Sequence, residues 1–161
     1  MRRHGDPNSR MLAVLFAAAA LTLVPTSAAR AAEDSGVEGS WKAQSAMLGG
    51  EALAPEDVQT VTLSLEGGAY EVQVDGRGTT DKGTYTVDDR KKPRRLRIIV
   101  ASGPNQGRTF PAIYELPDAD TLRICYDLAG AKYPDRFEAI YGTAFYVVTY
   151  KRVAAAAPSA P

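Results

Sequence analysis

The sequence predicts an all-β protein, an eight-stranded antiparallel up-and-down barrel with at most one short helical turn. Three observations predict it. Apolar and polar residues alternate in short segments, clusters of Gly, Pro, Asn and Asp separate those segments at nearly even spacing, and no crossover helix lies between them. Strands joined in this way pair as antiparallel neighbours, and eight of them can close so that no edge is left unpaired. An open two-sheet sandwich is the main competing architecture.

Eight segments have the composition of strands. They are the strand that Trp41 begins and the runs 61–65, 70–74, 85–87, 96–100, 110–116, 122–126 and 143–150. Gly67-Gly68, between the first two of these runs, is typical of a two-residue hairpin turn. The last run is apolar at nearly every position, which predicts a strand covered on both faces. The one helical turn predicted is 54–58, because Pro55 suits the first position of a helix.

The N-terminal residues have the pattern of a signal peptide. Three arginines precede the apolar run 11–24, and the small residues of Ala29-Arg30-Ala31 follow at a spacing that signal peptidase accepts. The apolar run is shorter than the ~20 residues of a membrane-spanning helix. We therefore expect residues 1–31 to be removed, which leaves an extracytoplasmic protein, periplasmic or secreted, with no stable membrane anchor. An uncleaved N-terminal anchor is the alternative.

The rest of the chain divides into three parts. These are a polar lead, 32–38, a barrel domain, 39–152, and a tail, 153–161, whose composition predicts disorder. Residues 32–161 contain 15 basic and 18 acidic residues, a formal net charge of −3. This balance gives no general attraction to nucleic acid or anionic lipid. We expect a monomer, and the sequence identifies no protein partner.

The chain contains one histidine, His4, and it lies in the predicted signal peptide. Removal of the signal peptide would leave a protein without histidine. This excludes Ser-His-Asp and Cys-His catalysis, histidine general bases and nearly all zinc sites. We therefore expect a protein that is not an enzyme and that carries no metal and no cofactor. The single cysteine, Cys125, cannot form an internal disulfide and is predicted to be a packed, unreactive thiol.

Several motifs of the chain resemble those of lipocalin-like barrels. Gly39-Ser40-Trp41 begins the first strand and Lys151-Arg152 ends the last one. The closer resemblance is to the small lipocalin-like extracytoplasmic domain family found in many copies in planctomycetes. It covers residues 39–152 and includes Gly-Pro-x-x-Gly at 103–107, Ile-Tyr-x-Leu at 113–116 and Asp-Thr-Leu-x-x-Cys-Tyr at 120–126. The resemblance implies the barrel fold but no particular activity, because this family is uncharacterised and such barrels have many functions.

The resemblance also implies a role for Trp41. In lipocalin-like barrels the Gly-x-Trp tryptophan plugs the closed end, and a late arginine packs over it. Trp41 and Arg152 are therefore predicted to form a structural plug held by a cation–π contact. The alternative is that Trp41 stacks on a ligand.

The inward-facing side chains supply the candidate ligand-binding residues. These candidates are Tyr70, Tyr85, Ile98, Phe110, Tyr114 and Tyr126. An eight-stranded barrel is just wide enough for one small ligand, and buried phenols need hydrogen-bond partners that a ligand or water can supply. The predicted function is therefore the binding of a small, mainly apolar ligand in the barrel mouth. The alternative is a protein-interaction module whose barrel is filled by the same side chains.

Residues 90–97 place six cations in eight positions. Such a run can bind an anionic polymer or a lipid head group. The alternative is a solvated hairpin loop whose positive charge Asp88 and Asp89 partly neutralise. Because no aromatic residues interleave the cations to stack on bases, we expect the loop and no binding of nucleic acid.

Overall fold

The structure is a computed structural model that describes residues 35–154. Its elements, in chain order, are β1 (Gly39–Leu48), β2 (Glu51–Ala52), α1 (Pro55–Val58), β3 (Val61–Glu66), β4 (Ala69–Val74), β5 (Gly78–Asp88), β6 (Arg94–Ser102), β7 (Thr109–Asp118), β8 (Thr121–Asp127) and β9 (Phe145–Arg152). The signal peptide predicted for 1–31 and most of the predicted tail, 153–161, lie outside the described residues. Between residues 35 and 154, no helix has the length and apolarity that crossing a bilayer requires.

Eight of these strands form a closed antiparallel barrel, which confirms the predicted fold class. Each strand from β3 to β8 pairs with the next one along the chain, and β1 pairs with both β3 and β9. Trp41 is paired with Leu63 on one side and with Arg152 on the other. A bulge between Ala43 and Ser45 interrupts the register of β1, and a bulge bends its strand. β2 adds two residues to the far end of β1.

The local turns form as their residues predict. Gly67 and Gly68 join β3 to β4 with φ values of 56° and 83°, the left-handed conformation that a two-residue hairpin turn of type I′ requires. Helix α1 has Pro55 in its first turn and is a single turn long. Its last residue, Val58, is buried in the core.

One continuous core lies inside the barrel. Because successive side chains of a strand point to opposite faces, the alternation in the sequence separates inside from outside. The core and the residues packed against it include the whole set predicted to face inward: Tyr70, Val72, Tyr85, Leu96, Ile98, Phe110, Tyr114, Leu122, Ile124 and Tyr126.

The segment 128–144, between β8 and β9, covers part of the outer face of the barrel. Phe137 and Ala139 of this segment pack on a second buried cluster, which consists of Ile113, Cys125, Phe145 and Val147. Arg123 anchors the segment, because its Nη2 donates to the carbonyl of Phe137 at 3.1 Å. Strand β9 is therefore covered on both faces, as its apolar sequence predicts.

The start of this segment is organised by Asp127, which is 2% exposed. Its carboxylate accepts hydrogen bonds from the backbone N–H groups of Ala129, Ala131 and Lys132, at 3.0, 2.9 and 2.9 Å. Such bonds satisfy both the buried charge and the backbone donors of the turn. The aspartate thus directs the chain away from β8 and onto the outer surface.

Cys125 lies beneath this outer layer with no exposed surface. Burial raises the pKa of its thiol to about 11, so the thiol is protonated at pH 8, and the thiolate is the reactive form. We expect native protein to resist labelling by dithionitrobenzoate at pH 8, and the unfolded protein to react completely. Rapid labelling under native conditions would contradict this burial.

Candidate functional site

Trp41 lies at one end of the barrel, where it is entirely buried. Its indole Nε1 donates to the backbone carbonyl of Val37 at 2.8 Å, and the guanidinium carbon of Arg152 lies 4.0 Å from the centre of the indole ring. Protein groups therefore satisfy the polar atom of the indole and cover its ring. Trp41 closes this end of the barrel and offers no surface to a ligand.

Arg152 is held over the indole by three backbone carbonyls. Its Nη1 donates to Glu38 at 2.8 Å, its Nη2 to Gly36 at 3.1 Å and its Nε to Ala119 at 3.0 Å. Gly39 gives the guanidinium room, because a Cβ at this position would lie 2.7 Å from Nη1, and its φ of 128° also favours glycine. These contacts explain the glycine of the Gly-x-Trp motif.

The described part of the polar lead, 35–38, belongs to this closed end. Val37 is 1% exposed, and Ser35 is buried as well. The carboxylate of Glu38 accepts hydrogen bonds from the N–H of Gly67 and from the hydroxyl of Tyr85, the latter at 2.6 Å. Residues 35–38, which the sequence places in the polar lead, therefore pack against the closed end of the barrel.

Tyr85 and Tyr114, two of the predicted ligand-binding residues, point to this end and do not line the cavity described below. Tyr85 reaches Glu38, and each of the two tyrosines is 1% exposed. The guanidinium carbon of Arg94 lies 5.0 Å from the centre of the Tyr114 ring. Both side chains face inward, as predicted, but the closed end buries them.

A cavity of about 340 Å³ occupies the other end of the barrel. The β6–β7 loop, the start of β3 and the residue after β8 contribute to it, and all of them lie opposite the turns that surround Trp41. Four of the six predicted ligand-binding residues line it, namely Tyr70, Ile98, Phe110 and Tyr126. The other lining residues are Val61, Leu63, Val72, Thr80, Asp81, Pro104, Asn105, Leu128, Tyr146 and Tyr150.

Three tyrosines from β8 and β9 form a cluster on one wall of the cavity. The rings of Tyr126 and Tyr146 are stacked, with their centres 6.0 Å apart and their planes at 27°. Burial raises the pKa of all three phenols, and the neighbouring Tyr126 raises that of Tyr150 further. The phenols are therefore neutral at pH 7 and combine apolar rings with hydroxyl groups that can donate and accept.

On another wall, Tyr70 and Asp81 form a polar pair. The Tyr70 hydroxyl donates to Oδ1 of Asp81 at 2.5 Å. Burial and the neighbouring carboxylate raise the pKa of Tyr70, so it remains a donor. Gly83 pairs with Tyr70 across the strands, and a Cβ there would lie 2.9 Å from Cε1 of the tyrosine ring and 2.0 Å from the carbonyl oxygen of Ile99. Glycine at 83 therefore makes room for the ring of Tyr70.

The basic run 90–97 contacts the protein's own aromatic rings and carboxylates. Arg95 lies over the ring of Tyr133 at 4.5 Å, and the Tyr133 hydroxyl accepts a hydrogen bond from Arg97 at 3.2 Å. Arg90 pairs with Asp88 at 3.0 Å. Together with Arg94 on Tyr114, these contacts engage four of the six cations within the fold.

Comparisons of this chain with protein-family models and with curated proteins found no match. Among residues 35–154, no group of three or more His, Cys, Asp or Glu side chains is placed to hold a metal ion. The cavity with its tyrosines and one carboxylate is therefore the feature from which a function can be argued.

Proposed function

We propose that the protein is an exported, lipocalin-like barrel that binds a small, mainly apolar ligand in its open mouth. The observation that carries the proposal is the cavity of about 340 Å³, lined mainly by aliphatic and aromatic side chains. Pockets for small molecules have volumes of roughly 300–1,000 Å³ and this type of lining. The cavity suits a ligand at the small end of that range.

The two ends of the barrel have different roles in this proposal. Trp41 and Arg152 close one end, so the ligand enters and leaves at the other. Burial of apolar ligand surface contributes about 25 cal/mol per Å² and drives binding. The phenols of Tyr126 and Tyr150 then orient the ligand by hydrogen bonds.

The protein acts as a carrier or a sensor of its ligand and not as an enzyme. The support for this part of the proposal comes from the sequence, whose single histidine is His4 in the predicted signal peptide. Removal of that peptide leaves the barrel in an extracytoplasmic space. There a binding protein can hold an apolar molecule that water dissolves poorly.

Filling the cavity is expected to abolish binding. Val72 lines the cavity, so Val72→Trp places an indole where the ligand would lie. We expect Val72→Trp to bind the neutral fluorophore N-phenylnaphthylamine at least about tenfold more weakly than the original protein does. Fluorescence titration measures both affinities. The matched control, Thr84→Trp, adds the same side chain at an exposed position of β5 and should bind normally. Equal affinity in Val72→Trp and the original protein would overturn the proposal.

A second candidate function is that of a protein-interaction module. Tyr141 is 84% exposed, and Leu48 and Met47 are 37% and 42% exposed. The backbone of Tyr141 lies against Gly50, in the turn that follows Leu48. Three exposed apolar side chains therefore lie near the β1–β2 turn, and contiguous exposed apolar patches mark contact sites for other proteins.

A further inference from the structure

Asp81 is the one charged residue among the described residues that line the cavity. Its Oδ1 accepts the hydrogen bond from Tyr70. A carboxylate has about four acceptor positions, so this bond leaves most of its capacity unused. A further donor or a cation would therefore stabilise this half-buried carboxylate beside an apolar space.

No cation of the protein neutralises Asp81. None of the ion pairs formed within residues 35–154 includes it. Lys82, its neighbour in sequence, points to the other face of β5, where it stands opposite Glu71 of β4 in the strand register. Arg108 packs on the ring of Phe110 at 4.9 Å and donates to the carbonyl of Leu128 at 2.6 Å, without lining the cavity.

Close contact with the β6–β7 loop fixes the position of Asp81. Gly103, in the β6–β7 loop, has a φ of 111°, and a Cβ at this position would lie 3.1 Å from the Cα and 3.4 Å from the Cγ of Asp81. The loop therefore lies directly against the aspartate, and the next two residues of the loop, Pro104 and Asn105, line the cavity. Glycine at 103 allows this approach, as glycine at 83 allows that of Tyr70.

The rest of the lining also suits a cation with an apolar body. The rings of Tyr126 and Tyr146 line the same cavity, and the faces of aromatic rings attract ammonium groups. Aliphatic residues from β3 and β4 complete the wall. An anionic head group, such as a fatty acid carboxylate, would instead be repelled by Asp81.

We propose that the cavity selects apolar molecules that carry a protonated amine, with the ammonium group on Asp81 and the apolar body against the aromatic rings. This inference rests on the proposed function, because it names the chemical class of the ligand for the same cavity. Both the charge of Asp81 and the hydrogen bond from Tyr70 take part, since the tyrosine orients the carboxylate that receives the amine.

Three molecules of eight carbon atoms each test the proposal. Octylamine, octanol and octanoate carry a head group that is cationic, neutral and anionic, respectively, at pH 7. In isothermal titration calorimetry we expect octylamine to bind at least about tenfold more tightly than octanol, and octanoate most weakly. If octanol binds as tightly as octylamine, the amine preference is wrong while the cavity still binds ligands. If none of the three binds, the proposed function fails as well.

Asp81→Asn supplies the decisive variant. It keeps an oxygen that can accept from Tyr70 but removes the charge, so octylamine should bind only as tightly as octanol. The ratio of its affinities for octylamine and octanol, and not either affinity alone, measures the contribution of the charge. Asp75→Asn is the matched control, because Asp75 pairs with Lys42 at 2.8 Å outside the cavity and should leave the preference for the amine unchanged. Retention of that preference in Asp81→Asn would overturn the proposal.

Discussion

Replacing Trp41 by alanine is expected to lower the free energy of unfolding by about 3–5 kcal/mol. The indole is fully buried, it donates to Val37, and Arg152 covers its ring. Its removal would leave a large void at the closed end and a carbonyl without its donor. Urea denaturation followed by far-ultraviolet circular dichroism measures the change without relying on tryptophan fluorescence.

The matched control for this experiment is Tyr141→Ala. Tyr141 is also a large aromatic residue, but it is 84% exposed, so its removal should change stability by less than about 0.5 kcal/mol. A loss below about 1 kcal/mol in Trp41→Ala would contradict its role as the plug of the barrel.

Replacing Arg152 by alanine is expected to cost about 2–3 kcal/mol, the second largest effect. The change removes three hydrogen bonds from a charged donor and the contact with the indole. Arg152→Lys should recover only part of this loss, because one ammonium group cannot reproduce a planar fork aimed at separate carbonyls. Chemical denaturation of the three proteins measures the series.

Lys151 is the matched control for Arg152. It precedes Arg152 in β9, it is exposed, and its ammonium group lies 3.9 Å from the carboxylate of Asp118. An exposed ion pair of this kind contributes little, so Lys151→Ala should cost less than about 1 kcal/mol. Equal losses in Lys151→Ala and Arg152→Ala would mean that the guanidinium has no special role.

The fold was predictable because its main signal is local. Alternation of apolar and polar residues assigns side chains to the inside or the outside, and Gly67-Gly68 specifies a hairpin by its own conformation. The position of Arg152 near Trp41 follows from closure, because the first and last strands of a closed barrel must pair. The segment 128–144 has no such period, so its position on the outer face was not predictable.

The candidate site was only partly predictable because alternation does not specify depth along the barrel. Ile98 and Phe110 line the cavity, whereas Tyr85 and Tyr114, which also face inward, are buried at the closed end. Depth depends on strand tilt and on register shifts, such as the one between Lys82 and Gly83.

Two kinds of lining residue were missed for different reasons. Tyr146 and Tyr150 alternate with outward residues of β9, so the period of that strand contained the signal needed to find them. Asp81 lies in a polar stretch of β5 with no apolar period, and its place in the cavity depends on the approach of Gly103 from a distant loop. No local pattern in the sequence encodes that approach.

The central claim, a small ligand in the barrel mouth, is tested most directly by native mass spectrometry of the protein purified from its own host. We expect an additional small mass that denaturation releases and that is absent from Val72→Trp prepared in the same way. Detection of the bare chain alone, both as purified and after incubation with N-phenylnaphthylamine, would contradict the claim.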